Sequence, residues 1–432
     1  MDCYLVWFLR IPVLCYLAGL VIGGDSGSLS SGQGVYNSST TPSNLPWNTY
    51  NYCNAPHVNA KHYSLPANAS HAKLVYMNAV IRHHKRSPDN LYPEENELNS
   101  VPWDCTDFTQ YSYGGSGSHV FHETSIPSWH PFLSQIWNGT CDTGQLTKGG
   151  FDDATAHGKA CWSINEKDIF IRTSTETRTF QVASGVLVGM DPAMAAKSFP
   201  VTTQPSPIDS IVPAYSCPAA DAIRNAYQSV PAWTDHLDAN ADLKARLDAT
   251  LGTANRSDWA SWYDHFFDTF TSRTCHGHPL PCNSTGACVS EADAAKVVAI
   301  GDWEYDYIWN AAENATAYSQ LTFGTSVLSL AQNFKLFRSG GDPYKLRFYV
   351  GHDGSMIRLA SLLGLGKVAP LRWPALGSEI VMEVWQSKKE KFVRVIHEGT
   401  PVVGFEWILL DAFISSLESQ VPASIFELCN SS

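Results

Sequence analysis

Basic residues are scarce in this chain of 432 residues. Lys and Arg together number 29 against 41 Asp and Glu, which gives a formal net charge of −12 at pH 7. Because general nucleic-acid binding needs a basic face, we predict no nucleic-acid partner. The deficit does not exclude a small phosphorylated substrate, since a local group of arginines can dominate the field inside a cleft.

Long apolar runs are missing beyond the N-terminus. The run from Tyr4 to Ile22 is interrupted only by Arg10. Two small residues follow, so the pattern is typical of a signal peptide over residues 1–24. A retained anchor is the alternative, but residues 11–22 are too few to span a bilayer unless Arg10 sits in or near the membrane. We favour cleavage, and we expect a secreted protein without stable membrane insertion.

Cysteine, in contrast, is plentiful. Of the 11 cysteines, Cys3 and Cys15 leave with the signal and nine remain. In an oxidising compartment these should form disulfides, and because nine is odd, at least one stays unpaired or pairs between chains. The segment 275–288 also offers a zinc interpretation, but its spacing matches no standard pair of ligands. We favour a loop pinned by a disulfide.

Asn-X-Ser/Thr sequons support a secretory route with N-linked glycans. They begin at Asn37, Asn68, Asn138, Asn255, Asn283, Asn314 and Asn430. Together with the signal peptide, these sequons predict a secreted glycoprotein that is extracellular or bound to a cell wall.

The order of predicted elements indicates an α/β core with a helical insertion. Residues 25–45 are rich in Ser, Gly and Thr and are predicted to be flexible. Strands are predicted at 74–86, 168–172, 345–350, 378–385 and 392–396, and helices at 176–190, 218–228, 239–251, 259–270, 291–309 and 355–363. We therefore assign 46–200 and 340–432 to the core and 201–339 to the insertion.

The segment from Val80 to Pro88, V-I-R-H-H-K-R-S-P, concentrates cations and imidazoles where a predicted strand ends. An open α/β sheet places its ligand site at the carboxyl ends of such strands. The forked donors of arginine suit phosphate oxygens, and a neutral histidine can attack phosphorus. Alone, the segment could equally be a solvated basic surface, so its meaning depends on the other strand ends.

Two other predicted strand ends carry complementary groups. The first is Arg172-Thr-Ser-Thr-Glu-Thr-Arg178-Thr179, and the second is Gly351-His352-Asp353. With the basic segment they offer cationic donors, a nucleophile and a carboxylic acid. Phosphoryl transfer without a metal needs these three components.

The three motifs resemble those of the histidine acid phosphatases, the branch of the histidine phosphatase superfamily that includes phytases and prostatic-type acid phosphatases. The family pattern R-H-G-x-R-x-P is similar to residues 82–88, R-x-x-x-x-x-R-T to 172–179, and H-D to 352–353. Weaker matches lie at 144–149 and 378–383, so the resemblance covers about residues 74–396. It implies a phosphoglycerate-mutase-like three-layer α/β core with a mixed central sheet, and neither metal nor other cofactor.

The resemblance also implies roles for individual residues. His83 is the expected nucleophile and forms a phosphohistidine, while Asp353 protonates the leaving alcohol and then activates water. The expected phosphate ligands are Arg82, Arg86, Arg172 and His352. An acidic working pH follows, because an unperturbed Asp has a pKa of about 3.9 and neighbouring arginines lower it further. We predict a secreted acid phosphatase that acts on small phosphomonoesters.

One position departs from the family pattern. His84 stands where the family has glycine, and its side chain either points away from the phosphate or narrows the pocket. We expect activity because every charged role is filled, and a catalytically inactive secreted glycoprotein is one alternative. A phytase or inositol-polyphosphate phosphatase is the other, although the lack of Lys and Arg residues at 87–147 favours a less specific enzyme.

Overall fold

A computed structural model describes residues 34–36, 39–93, 95, 101–105, 109–111, 120–122, 129, 131, 139–159 and 164–431. The predicted signal peptide and the first part of the predicted flexible segment lie outside these residues. No helix within the described ranges has the length and apolar character needed to cross a membrane.

The centre of the molecule is a mixed sheet. In chain order, the described strands are β1 (Ala72–Arg82), β2 (Thr109–Tyr111), β3 (Val120–His122), β4 (Ile169–Thr173), β5 (Val201–Thr202), β6 (Leu346–Gly351), β7 (Glu379–Ser387), β8 (Glu390–His397), β9 (Thr400–Pro401) and β10 (Ile408–Leu409). All of them except β2 and β3 belong to this sheet. The sheet runs β10-β8-β7-β1-β6-β4-β5 with β9 beside β8, and β2 pairs with β3. Strands β1, β6, β4 and β5 are parallel, whereas β7 is antiparallel to β1.

Helices surround the sheet. They are α1 (Lys148–Lys159), α2 (Thr177–Met190), α3 (Pro218–Tyr227), α4 (Pro231–Ala239), α5 (Ala241–Leu251), α6 (Asp264–Cys275), α7 (Glu291–Asp306), α8 (Ala315–Arg338), α9 (Asp353–Leu362), α10 (Leu410–Ser419) and α11 (Ile425–Asn430). Helices α3 to α8 lie between strands β5 and β6 along the chain, within the segment predicted to be mainly helical.

Both faces of the sheet are buried, as the alternation along β1 illustrates. Tyr76 and Val80 join one core cluster with α8, α9 and α10, whereas Met77, Ala79 and Ile81 join another with α1 and α2. Successive strand residues point to opposite faces, and parallel sheets are normally covered on both. The predicted α/β core with a mixed central sheet between helical layers is confirmed.

Disulfides join the ends of distant elements. In the described chain they are Cys53–Cys275, Cys105–Cys141, Cys217–Cys429 and Cys282–Cys288. The predicted disulfide framework is therefore confirmed, and the short loop is pinned by its own bridge rather than by zinc. The remaining cysteine of the predicted mature chain, Cys161, lies outside the described residues.

Candidate active site

The site forms where two parallel strands end side by side. Arg82, the last residue of β1, is in register with Gly351, the last residue of β6. The backbone N–H of His83 then donates to the Gly351 carbonyl over 3.0 Å. This pairing brings His83 and His352 together, with ring centroids 5.4 Å apart. The first and third sequence motifs therefore meet at the carboxyl edge of the sheet, where open α/β sheets bind ligands.

The imidazole of His83 is held in one tautomer. Its Nδ1 lies 2.9 Å from the His84 carbonyl oxygen. Because a carbonyl only accepts, Nδ1 carries the proton and Nε2 is unprotonated. The side chain is buried, and this burial, together with the charges of Arg178 and Arg82, lowers the pKa of His83 well below its usual value. A neutral imidazole with an unprotonated Nε2 is a nucleophile poised for phosphorus.

Arg82 is fixed from several sides. Its Nη2 lies 3.0 Å from Oδ2 of Asp353, whose side chain is partly exposed while that of Arg82 is buried. Its Nη1 donates to the Pro374 carbonyl and to the Tyr52 hydroxyl, the latter over 3.3 Å. A guanidinium held in this way keeps its orientation, so that an arriving anion would have to replace only Asp353 as the partner of Nη2.

Two further arginines share acidic partners beside His83. Arg86 pairs through Nη1 with Asp268 and through Nη2 with Asp89, each at 2.8 Å. Arg178 donates through Nη1 to the Gly144 carbonyl over 3.1 Å and lies 3.6 Å from Asp89. These carboxylates and the carbonyl keep the cations in place, and among the charged groups Arg178 lowers the pKa of His83 the most.

Arg172, which is among the predicted phosphate ligands, does not join this group. It lies within β4 opposite Tyr349 and borders a small cavity beside Phe323 and Leu359 of the helical layer. Its Nη2 donates to Oδ1 of Asp209 over 2.6 Å, and both side chains are buried. A buried guanidinium needs such a counter-charge, and Asp209 supplies it. Of the two arginines of this motif, Arg178 is the one whose charge acts on His83.

The carboxylic acid of the site opens helix α9. Burial raises the pKa of Asp353, but the Arg82 guanidinium and a 2.9 Å hydrogen bond from Trp373 Nε1 outweigh it and lower this pKa to about 2. The Trp373 indole is itself stacked between Phe267 and Tyr305, at centroid distances of 3.9 and 3.8 Å. The aromatic stack therefore fixes the orientation of the Asp353 carboxylate.

His352 is a neutral donor or acceptor in this setting. Its Nε2 lies 2.9 Å from the Ser174 hydroxyl. Burial and the nearby Arg178 charge lower its pKa to about 3. All predicted site residues except Arg172 are thus brought together, with Arg178 added to them. Within the described part of the chain, no cluster of three His, Cys, Asp or Glu residues could hold a metal ion.

The side chain of His84 points away from the arginines beside His83. The ring of His84 points to His157, with Nε2 and Nδ1 3.3 Å apart, and it packs on the α-carbon of Gly377. The ionisable groups that act on His84 are His157, His57 and Lys85, none of which belongs to the arginine cluster. Of the two orientations predicted for the His84 side chain, the structure has the one that points away from the proposed phosphate site.

Residues 73–398 match the model of the histidine phosphatase superfamily, branch 2. The chain belongs to this family. It is 24% identical over 399 residues to human 2-phosphoxylose phosphatase 1, covering 81% of this chain and 75% of that protein. It is 22% identical over 249 residues to bovine lysosomal acid phosphatase, covering 52% of this chain and 57% of that protein.

Solved structures share the fold. Hafnia alvei phytase superposes with a TM-score of 0.55 at 13% identity, covering 84% of this chain and 99% of that one. The multiple inositol polyphosphate phosphatase of Bifidobacterium longum, in complex with inositol hexasulfate, gives 0.54 at 12% identity, covering 87% and 98%. The predicted family and phosphatase activity are therefore confirmed by the family match and the named relatives. The predicted fold class is confirmed by the family match and these structures.

The sequence reasoning missed two residues of the site. Arg178 belongs to the second sequence motif and lies after the end of β4, whereas Arg172 lies inside that strand. This position is a signal for a site residue, because residues beyond a strand end reach the edge of the sheet. Trp373 carried no signal of its own, since it lies in an irregular segment between α9 and β7.

Proposed function

We propose that the chain is a secreted acid phosphatase that hydrolyses phosphomonoesters through a phosphohistidine at His83. The observation that supports this most directly is the 2.9 Å contact between His83 Nδ1 and the His84 carbonyl, which leaves Nε2 unprotonated among three arginines. A nucleophile, cationic donors and an acid then stand at one sheet edge, which is the set that phosphoryl transfer needs.

In the first half of the reaction, His83 Nε2 attacks the phosphorus in line with the leaving oxygen. Arg82, Arg86 and Arg178 take up the charge of the equatorial oxygens, and Arg82 exchanges its Asp353 partner for the phosphate. The P–O bond to the alcohol breaks as Asp353 gives its proton to that oxygen. The product is the alcohol and a phosphoryl group bonded to Nε2.

In the second half, Asp353 removes a proton from water as that water attacks the phosphorus. The P–N bond breaks, inorganic phosphate leaves and His83 is regenerated. Since the pKa of Asp353 is about 2 without substrate, this carboxyl is ionised at mildly acidic pH and must regain a proton for each turnover. Below its second pKa of about 6, the phosphomonoester substrate is a monoanion and can bring that proton with it. We therefore expect activity at acidic pH.

The secretory part of the proposal has its own support. Four of the predicted glycosylation positions are exposed: Asn68, Asn255, Asn314 and Asn430. The disulfides Cys53–Cys275 and Cys217–Cys429 join segments far apart in the chain, which fits folding in an oxidising compartment. The bovine relative named above carries a lysosomal designation.

The test is hydrolysis of p-nitrophenyl phosphate by the purified protein between pH 3 and pH 9. We expect turnover by the wild type with an optimum below pH 6, and a loss of at least about 1000-fold in His83→Ala, because the nucleophile is gone. Trapping with labelled substrate should give a base-stable, acid-labile phosphoprotein only in the wild type. Equal inertness of the two proteins, or an optimum above pH 8, would contradict the proposal.

A substrate panel separates the broad phosphatase from the more specific alternatives. We expect simple monoesters to be hydrolysed with kcat/KM values at least as high as that for phytate, since few basic residues flank the described site. A phosphorylated xylose belongs in the panel because of the human relative's name. A strong preference for phytate would instead favour the inositol-polyphosphate interpretation.

A further inference from the structure

A second buried polar cluster lies directly behind the nucleophile. It contains His84 of the loop after β1, His157 in the last turn of α1 and Glu379 at the start of β7. His84 Nε2 is 3.3 Å from His157 Nδ1, and His157 Nε2 is 3.1 Å from Glu379 Oε2. The three side chains are at most 4% exposed. Three separate elements are therefore joined beneath the loop that carries His83.

The hydrogen bonds of this cluster can be satisfied in one consistent pattern. Glu379 is an acceptor in its ionised form, so His157 donates from Nε2 and its Nδ1 is an acceptor. His84 must then donate from Nε2, which leaves its own Nδ1 unprotonated. That atom has no hydrogen-bond partner among the described residues, as suits a nitrogen without a proton to donate.

Surrounding groups keep the carboxylate ionised and the rings in place. The backbone N–H of Val58 donates to Glu379 Oε1, and His57 stacks on His157 with a centroid distance of 4.2 Å. Although burial raises the pKa of Glu379, the bonds to His157 and Val58 lower it more, so its pKa lies below the usual value. Because the ionised Glu379 can only accept a hydrogen bond, it determines the tautomer of His157 and, through it, that of His84.

Residue 84 connects this cluster with the reactive ring. Its side chain is bonded to His157, while its carbonyl oxygen accepts the Nδ1 proton of His83. A glycine at this position would leave that peptide group with more rotational freedom. The anchored side chain restricts it, because moving the carbonyl would break the bond to His157.

We propose that His84, His157 and Glu379 form a positioning relay that holds the carbonyl partner of His83 and thereby fixes the tautomer and orientation in which Nε2 attacks. The proposal rests on the proposed function at His83. The ring at position 84 is, on this view, a positioning residue for the nucleophile. The phosphate-binding arginines lie outside the relay, so substrate affinity is set independently of it.

Two substitutions at one position test the relay. His157→Leu removes both hydrogen bonds with a side chain of similar size, whereas His157→Gln keeps a donor for Glu379 and an acceptor for His84. The measurements are kcat and KM with p-nitrophenyl phosphate and the phosphorylation rate constant in a rapid-quench experiment, normalised to the number of active sites. We expect His157→Leu to lower the rate constant about tenfold with KM within about twofold, because displacement of a reacting group costs rate rather than binding. His157→Gln should restore the phosphorylation rate constant to within about threefold of the wild-type value.

A matched control comes from another buried His–Glu pair. His236 Nε2 lies 3.0 Å from Glu304 Oε1 in the helical insertion, remote from His83 in the contacts of both residues. His236→Leu should lower the melting temperature and leave the rate constant per active site unchanged. This control separates the loss of a buried bond from the loss of the relay.

The outcomes are distinct. A phosphorylation rate constant within twofold of the wild type in His157→Leu, or an equal loss in His157→Gln, overturns the relay. If His157→Leu does not fold, His84→Gly removes the same ring and should show the same slowing; an unchanged rate constant there overturns the relay equally. Failure of the proposed function would be seen earlier, as a wild type without turnover or a His83→Ala protein that retains it.

Discussion

Arg172 and Arg178 belong to one sequence motif but have different surroundings. Arg172 is inside a strand, buried, and paired with Asp209 at 2.6 Å. Arg178 lies in the first turn of α2, where its charge acts on His83. The spacing of the motif alone does not distinguish them, because Arg172 is the last residue of the predicted strand at 168–172 and Arg178 follows it only six positions later. The structure assigns one to stability and the other to the proposed anion site.

The two arginines should respond differently to the same substitution. Arg178→Met should raise the inhibition constant of inorganic phosphate about 10- to 100-fold, as expected for a lost charged hydrogen bond of 1.5–3 kcal/mol. Arg172→Met should leave that constant unchanged and lower the free energy of unfolding by about 3–5 kcal/mol, because Asp209 stays buried without its counter-charge. Inhibition kinetics and urea unfolding measure the two effects. Weakened phosphate inhibition in a fully stable Arg172→Met would contradict this assignment.

The strands were more predictable than the helices of the insertion. The pattern at 345–350 matches β6 (Leu346–Gly351) to within one residue, because apolar runs that end at glycine mark buried strands. The predicted helix at 239–251 is wrong at its start: α4 ends at Ala239 and α5 begins at Ala241. Asn240 adopts a non-helical conformation there, and the continuous helical spacing hid this break.

His276, the residue that follows helix α6, forms hydrogen bonds to two different elements. His276 donates from Nδ1 to the Ser272 carbonyl over 2.7 Å, so its Nε2 accepts from the Thr147 hydroxyl over 2.9 Å. Burial lowers the pKa of His276 to about 3. The neutral ring therefore links the C-terminus of α6 to the turn before α1 throughout the mildly acidic range.

This histidine should make the protein less stable in acid. Between pH 6.5, the usual histidine pKa, and about 3, the unfolded state binds a proton that the native state does not. The free energy of unfolding should therefore fall with falling pH, by up to about 1.4 kcal/mol per pH unit from this residue. His276→Gln should flatten that slope in urea unfolding at pH 6.5, 5.5 and 4.5. The exposed His71→Gln is the control, and equal slopes for all three proteins would refute the prediction.

At the scale of the molecule, contacts between distant segments connect the helices between β5 and β6 with the rest of the chain. Asp268 of α6 holds Arg86 from 182 positions away. Cys53 and Cys275 are separated by 222 positions, and Cys217 and Cys429 by 212. The family motifs predict the mixed sheet and the residues that gather at its edge, but no local pattern identifies a partner so far along the chain. Asp268 and Asp209 were unpredictable for this reason.

The long-range bridges should contribute more stability than the short one. Replacing Cys217 and Cys429 by serine should cost roughly 5 kcal/mol, against roughly 2 kcal/mol for the Cys282–Cys288 bridge, because loop-closure entropy grows with the length of the closed loop. Urea unfolding of the two double variants under non-reducing conditions gives the comparison. Equal losses would show that strain or residual structure, rather than loop length, sets the contribution.

Gly377 and His84 restrict each other's replacement over evolutionary time. A β-carbon on Gly377 would lie 2.4 Å from the His84 ring, and its backbone has a φ of 73° that disfavours other residues. While the ring is present, a side chain at 377 has no space. If glycine replaces His84, these ring contacts disappear and the backbone cost of about 1 kcal/mol still opposes alanine at 377. Descendants of this sequence can therefore change the two positions in one order only, first 84 and then 377.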